Sequence, residues 1–268
     1  MTDILKRNNV TVSGDGKKTI LYAHGFGCNQ EMWSAVWPAF AQDYKQVLFD
    51  YVGSGKSDLL SWNETRYSAL DGYADDIIEV CDALGLTKDV IVVGHSVSAT
   101  IALLASIKRP NLFSKLILIG PTPCFLNYPP EYNGGFNKED LVGLLDLMES
   151  NYMGWAAYLA PVVSGGEGNE FATDQLETSF CSTDPIAAKV FAKATFFADN
   201  RDDFAKVDAP CLILQHRNDA LVPLEVGEYT HKKLKNSTYE VLDVTGHCAH
   251  MSHPQLVITA MENYLNGA

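Results

Sequence analysis

Asp89-Val90-Ile91-Val92-Val93-Gly94-His95-Ser96-Val97-Ser98-Ala99-Thr100 changes its pattern twice. Val90-Ile91-Val92-Val93 is a continuous β-branched run, as expected of a strand buried on both faces. Over 99–107 the composition turns helical. A strand, a sharp turn with serine at its apex and a helix form the setting in which G-x-S-x-G has chemical meaning. The strained turn lifts the serine hydroxyl clear of the sheet. Residues two before and two after that serine must be small, because strand and helix nearly touch there. Here they are Gly94 and Ser98, so Ser98 departs from the two-glycine pattern. It reads as a small spacer that sets the helix slightly farther from the strand.

Working outward, Val10-Thr11-Val12, the turn Gly14-Asp15-Gly16 and the run 19–23 predict a strand, a hairpin turn and a second strand. The second strand leads into His24-Gly25-Phe26-Gly27, whose glycines let the backbone turn an N–H toward a ligand. Helical character follows over 30–41, then a strand over 46–50. Tyr51-Val52-Gly53-Ser54-Gly55-Lys56-Ser57 resembles a phosphate loop and fails as one. The position that needs glycine is Asp50, whose carboxylate repels phosphate, and 58–62 continues as loop. An amphipathic helix over 70–84 ends at Gly85, and Lys115-Leu116-Ile117-Leu118-Ile119-Gly120 is another buried strand. This alternation predicts a mainly parallel sheet covered on both faces.

Between Cys124 and Asn200 no strand-like run occurs. Helical segments are predicted at 138–150, 152–163, 170–181 and 185–198. An insertion of this length reads as a lid over the strand ends. Phe125, Phe136, Trp155, Leu159 and Phe196 are its candidate pocket residues, with Val222 from beyond it. Strands resume at 211–216 and 239–242, and a helix over 254–265 closes the chain.

The net charge is 20 − 33 = −13, which argues against nucleic acid or an anionic membrane as partner. No apolar run reaches the ~18 residues of a membrane span, and 1–14 lacks the apolar stretch of a signal peptide, so a cytoplasmic protein is expected. Six cysteines without C-x-x-C spacing read as free thiols rather than a zinc or redox site. No cofactor is indicated.

Ser96, Asp219 and His247 occur in the order nucleophile, acid, histidine, each just past a strand, which is the order of the α/β-hydrolase fold. A neutral serine is a poor nucleophile, so His247 must accept its proton, with Asp219 fixing the imidazole tautomer. The N–H groups of Phe26 and Val97 are candidate oxyanion donors, worth about 3–4 kcal/mol each in other enzymes. Among rival readings, Asp243 lies too near His247 in sequence to face it comfortably. His247, His250 and His253 form a His-x-x-His-x-x-His series, but no periodicity groups them as zinc ligands. His95 is expected to pack or bond locally, and Cys248 and Cys124 to border the pocket.

Several stretches together carry a resemblance. They are His24-Gly25-Phe26-Gly27, Phe49-Asp50-Tyr51-Val52-Gly53-Ser54-Gly55, Gly94-His95-Ser96-Val97-Ser98-Ala99 and Pro123-Cys124-Phe125-Leu126-Asn127, with Gly134-Gly135-Phe136, Phe180-Cys181-Ser182-Thr183-Asp184-Pro185 and Gly246-His247-Cys248. The chain resembles the RsbQ family of bacterial stress-response α/β-hydrolases and is similar to plant karrikin and strigolactone receptor hydrolases. Ser98 matches the plant members. The resemblance implies an eight-stranded, mostly parallel sheet, with a core of 1–123 and 201–268 and a four-helix lid, 124–200, over a hydrophobic cavity. It implies a Ser96–Asp219–His247 triad and a small hydrophobic ester or lactone-like ligand. It also implies signalling through a partner, a phosphatase bearing a PAS domain. A metabolic carboxylesterase or cofactor-free perhydrolase without a protein partner stays open, as does a binding protein with a vestigial triad.

Overall fold

In the computed structural model, which describes residues 3–267, the run 90–93 is buried and its side chains divide between two apolar layers. Val90 and Val92 enter one layer, Ile91 and Val93 the other. The same division holds for Leu116 and Leu118 against Ile117 and Ile119. Period-two side chains on a doubly covered sheet require it.

The first half of the chain forms α1 (Ile4–Arg7), β1 (Thr11–Ser13), β2 (Lys18–Ala23), β3 (Tyr44–Leu48), α2 (Glu64–Tyr67), α3 (Leu70–Ala83), β4 (Val90–His95), α4 (Val97–Lys108) and β5 (Phe113–Ile119). Four helices follow: α5 (Lys138–Ser150), α6 (Tyr152–Ser164), α7 (Glu170–Ser182) and α8 (Pro185–Phe196). The chain then returns to the sheet with β6 (Cys211–Asn218), α9 (Leu224–Lys233), β7 (Ser237–Thr245), α10 (Ala249–Ser252) and α11 (Pro254–Asn266). Strand order is β1-β3-β2-β4-β5-β6-β7, parallel except for β1. Residues of α3 and α4 pack in one apolar layer, and those of α9, α11 and the insertion mainly in the other.

Three expectations are corrected. The sheet has seven strands among the described residues, not eight, because the segment before β1 caps itself as a helix: Asp3 accepts from the N–H groups of Leu5 and Lys6. No hairpin joins β1 to β2, since β1 pairs antiparallel with β3 and β2 lies between β3 and β4. Gly14 and Gly16 carry the chain across the start of β3, so tightly that a Cβ at 16 would lie 2.4 Å from Tyr44 Cα. The 30–41 segment forms two 3₁₀ turns, Gln30–Trp33 and Trp37–Phe40, rather than a helix.

The insertion helices end within two residues of their expected bounds, and their caps explain why. Asn137 and Asp140 make a capping box on α5, and the Asn151 side chain accepts from Gly154 N–H on α6. Asp184 caps α8, with Pro185 at its first position.

A buried ionic group fastens the amino terminus to α3. Asp76, fully buried, accepts from Arg7 at 3.1 Å, Arg66 at 2.9 Å, Tyr67 Oη at 3.0 Å and Asn8 at 3.2 Å. Removing one side of such a group strands the other in low dielectric. Asp76→Ala is expected to cost about 3–5 kcal/mol of unfolding free energy, read from urea titration. A loss under about 1 kcal/mol would show that the arginines re-solvate freely.

Candidate active site

The carboxyl ends of β2, β4, β5, β6 and β7 lie side by side. Their following loops carry His24–Gly27, Ser96, Gly120, Asp219 and His247 in turn.

Ser96 stands between β4 and α4 at φ +57°, ψ −124°, a strained backbone for a residue with a Cβ. Gly94 makes the turn possible, because a Cβ there would lie 2.4 Å from the Ser98 carbonyl oxygen. Ser98 proves to be more than a spacer. Its hydroxyl donates to the His24 carbonyl and accepts from Tyr51 Oη at 3.0 Å. Val97 opens α4, so its N–H is one of the orphaned donors of a helix start. Phe26 lies in the neighbouring loop and borders the same chamber as Ser96.

His247 Nδ1 donates to Asp219 Oδ2 at 2.7 Å, and His216 Nδ1 donates to the same oxygen at 3.0 Å. Asp219 Oδ1 accepts from the N–H groups of Leu221 and Val222. Burial by itself would raise this carboxyl, but the two imidazoles outweigh it and hold Asp219 well below the usual carboxylate range. His247 Nε2, turned away from Asp219, is buried without a hydrogen-bond partner, and His247 and Ser96 border one chamber. The His247 backbone is held at both ends: its N–H donates to Val163 O of α6 at 2.7 Å, and its carbonyl accepts from His95 Nε2 at 2.8 Å. His95 thus bonds locally, as expected. His216 was not anticipated; its one sequence signal is its place at the end of a buried strand, three residues before Asp219.

The chamber is lined by Phe26, Cys28, Phe125, Leu159, Phe180 and Phe196, among others, and encloses about 30 Å³. Of the residues proposed from sequence, Phe125, Leu159 and Phe196 border it. Phe136, Trp155 and Val222 do not border it. Phe136 packs against Phe125, Trp155 lies behind Phe26 and Phe180, and the Val222 N–H is turned to Asp219. Cys248 borders the chamber, while Cys124, also buried, does not. Asp243 is exposed and paired with Arg217 at 2.8 Å, far from an acid's role. Asp50 ties down the Gly-rich loop instead of facing a phosphate, accepting from the N–H groups of Gln30 and Lys56.

Among the described residues, two groups have metal-ligand chemistry. His216, Asp219 and His247 are already bonded to one another, while His95, Cys248 and His250 lie within 4.8 Å of each other. Burial raises the Cys248 thiol well above its ordinary value, which opposes the thiolate a metal requires. His253 is exposed, so the His-x-x-His-x-x-His series does not gather.

This sheet, with a serine elbow, an acid and a histidine at its carboxyl edge, defines an α/β hydrolase. The alpha/beta hydrolase fold family matches residues 18–254, and the chain belongs to that family. It is 37% identical over 260 residues to a karrikin insensitive 2 receptor of Petunia hybrida, covering 97% of this chain and 96% of that one. It is 38% identical to a strigolactone esterase of Pisum sativum, covering 97% of each. A solved hydrolase from Oleispira antarctica superposes with TM-score 0.96 at 45% identity, covering 99% of this chain and 97% of that one. No helix among the described residues is long and apolar enough to cross a membrane.

Two outcomes follow from this geometry. Ser98→Gly removes a hydroxyl from a buried carbonyl and a buried phenol, so it is expected to cost about 1–3 kcal/mol in urea unfolding. An unchanged midpoint would restore the spacer reading. Burial lowers His24, His95, His216 and His250 from their ordinary value of 6.5. The unfolded chain therefore binds more protons below about pH 6.5, and stability present above that pH is lost as pH falls. Melting temperature should drop between about pH 7.5 and 5, with His250→Phe giving a shallower dependence; parallel curves would remove His250 from this account.

Proposed function

We propose that the protein is a serine esterase for small, uncharged, apolar esters or lactones. The observation that carries this reading is the Asp219–His247 pair, whose Nε2 is left without a partner while His247 and Ser96 border one chamber. Ser96 Oγ attacks the carbonyl carbon while His247 Nε2 takes its proton, and the N–H groups of Phe26 and Val97 hold the oxyanion. The oxyanion collapses, the C–O bond to the leaving oxygen breaks, and His247 returns the proton to that oxygen. Water then attacks the acyl-Ser96 ester, again giving a proton to His247, and the acid leaves as Ser96 regains its hydrogen. Asp219, kept ionised by two imidazoles, fixes the His247 tautomer and offsets the imidazolium charge.

The insertion acts in this reading as a lid, 124–200, on a core of 1–123 and 201–268. Its apolar contribution to the chamber suits a ligand of low polarity, and the names of the plant relatives support a small lactone-like molecule. The finer assignment is RsbQ-type stress signalling in the cytoplasm through a PAS-domain phosphatase, and it rests on the shared sequence stretches. A carboxylesterase without a protein partner is the second reading, favoured by the 45% identity to a bacterial hydrolase.

A fluorophosphonate probe should label the wild type and not Ser96→Ala. Equal, poor labelling of both would end the enzyme reading. Asp219→Asn should lower kcat by about 10⁴, with ester binding little changed. Recovery of a PAS-containing phosphatase on immobilised protein favours the signalling assignment, and its clean absence the second reading.

A further inference from the structure

A chamber of about 30 Å³ is too small for the reaction assigned to it. A single water needs roughly 10–15 Å³ of such space, so the chamber holds about two waters, less than the smallest ester. The long arm of an elongated ester must lie elsewhere.

A second cavity of about 390 Å³ opens on the surface between α7 and the 28–32 segment, within the roughly 300–1,000 Å³ typical of ligand sites. Cys28 and Leu176 line both cavities and are nearly inaccessible, at 3% and 1% exposure. Two side chains therefore form the wall between this vestibule and the Ser96 chamber. Beside that wall α7 is tied to the oxyanion loop by side-chain bonds: Ser179 Oγ donates to Gly27 O at 2.9 Å and accepts from Asn29 Nδ2 at 3.3 Å.

The vestibule's chemistry is distinctive. Met32, Phe171, Leu176 and Met251 give it an apolar surface, amides and hydroxyls supply its polar part, and its charged residues are Glu31 and Asp174. No basic residue lines it. Such a surface accepts a neutral apolar chain and repels a carboxylate.

We propose that this vestibule is the distal half of the substrate site. It takes the apolar arm of an elongated, uncharged ester or lactone whose carbonyl lies at Ser96, the arm passing between Cys28 and Leu176. Acidic esters are excluded by Glu31 and Asp174. This inference rests on the esterase reading and adds to it a length and charge preference.

Three esters test it in a pH-stat assay: methyl acetate, methyl octanoate and the anionic monomethyl suberate. Thr178 is an exposed residue of α7 that lines the vestibule, so Thr178→Trp fills it without disturbing the core. That variant should keep kcat/KM for methyl acetate within about twofold and lower it about tenfold or more for methyl octanoate. Asp174→Lys should raise kcat/KM for monomethyl suberate about fivefold relative to methyl octanoate. If Thr178→Trp changes both neutral esters alike, or neither, the vestibule is not part of the site. Fluorophosphonate labelling of Ser96 separates the two levels. Labelled Ser96 with no chain-length discrimination overturns this inference alone, whereas absent labelling overturns the esterase reading beneath it.

Discussion

The backbone of Gly94 lies against the carbonyl of Ser98, leaving no room for a side chain between β4 and α4. That contact dictates what surrounds it. A helix that starts so close to the end of a strand forces the intervening residue, Ser96, into positive φ and turns its hydroxyl outward. The same tight start leaves the Val97 N–H beside the hydroxyl with no partner inside the helix. Ser98, the second residue of α4, reaches sideways to the His24 carbonyl and to Tyr51. His24 in turn accepts from the Tyr51 N–H through Nε2, so its Nδ1 donates to Gly25 O. The elbow and the His24–Gly27 loop are thus one hydrogen-bonded unit, and Gly25 keeps it compact because a Cβ there would meet His95 Nδ1 at 2.5 Å.

Behind this unit the electrostatics are economical. His95, His216 and His250 are buried, and burial, the dominant influence on each, keeps them neutral. Asp219 is the anion among them, and four donors converge on it. A carboxylate taken out of water needs such donors, or it would protonate and lose its hold on His247. His216 therefore has a clear role even though it does not face the chamber: it satisfies the Asp219 oxygen that His247 also uses. Gly120, at φ +57°, leaves room for both rings, since a Cβ there would lie 3.0 Å from His247 and 3.3 Å from His216.

Much of this was legible because its signals are local. Helix caps such as Asn151 and Asp184 act within a few residues, so the insertion helices could be read almost to their ends. The order Ser96, Asp219, His247 follows from strand ends, which continuous apolar runs mark well. Pairing is a different kind of property. Gly14-Asp15-Gly16 has the composition of a hairpin turn, yet β1 pairs with β3, and no residue near the turn reports that partner. The missing eighth strand fails for a similar reason, a helix cap at Asp3 overriding a family expectation. His216, the Cys28–Leu176 wall and the hydroxyl role of Ser98 depend on contacts between residues far apart in sequence. The α9 helix carries little sequence signal, because its pattern is weakly apolar between two strong strands.

The insertion and the histidine are mechanically joined, which bears on how a ligand would be felt. Val163, near the end of α6, accepts from the His247 N–H, and α6 stops where Gly165 packs against the Thr245 carbonyl. Gly246, next to the histidine, is pressed in turn against Ser164 O. The peptide carrying His247 is therefore clamped between β7 and the insertion, with no slack residue between them. A ligand that needs more than 30 Å³ must displace insertion side chains such as Leu176, and α7 packs on α6. Displacement large enough to shift α6 shifts the His247 backbone with it. Any ligand bound better by one position of the insertion than by another would, by thermodynamic reciprocity, favour that position by the same free energy. On the outer side of the same insertion Met153, Tyr158, Phe171 and Ile186 stand exposed on α6, α7 and α8.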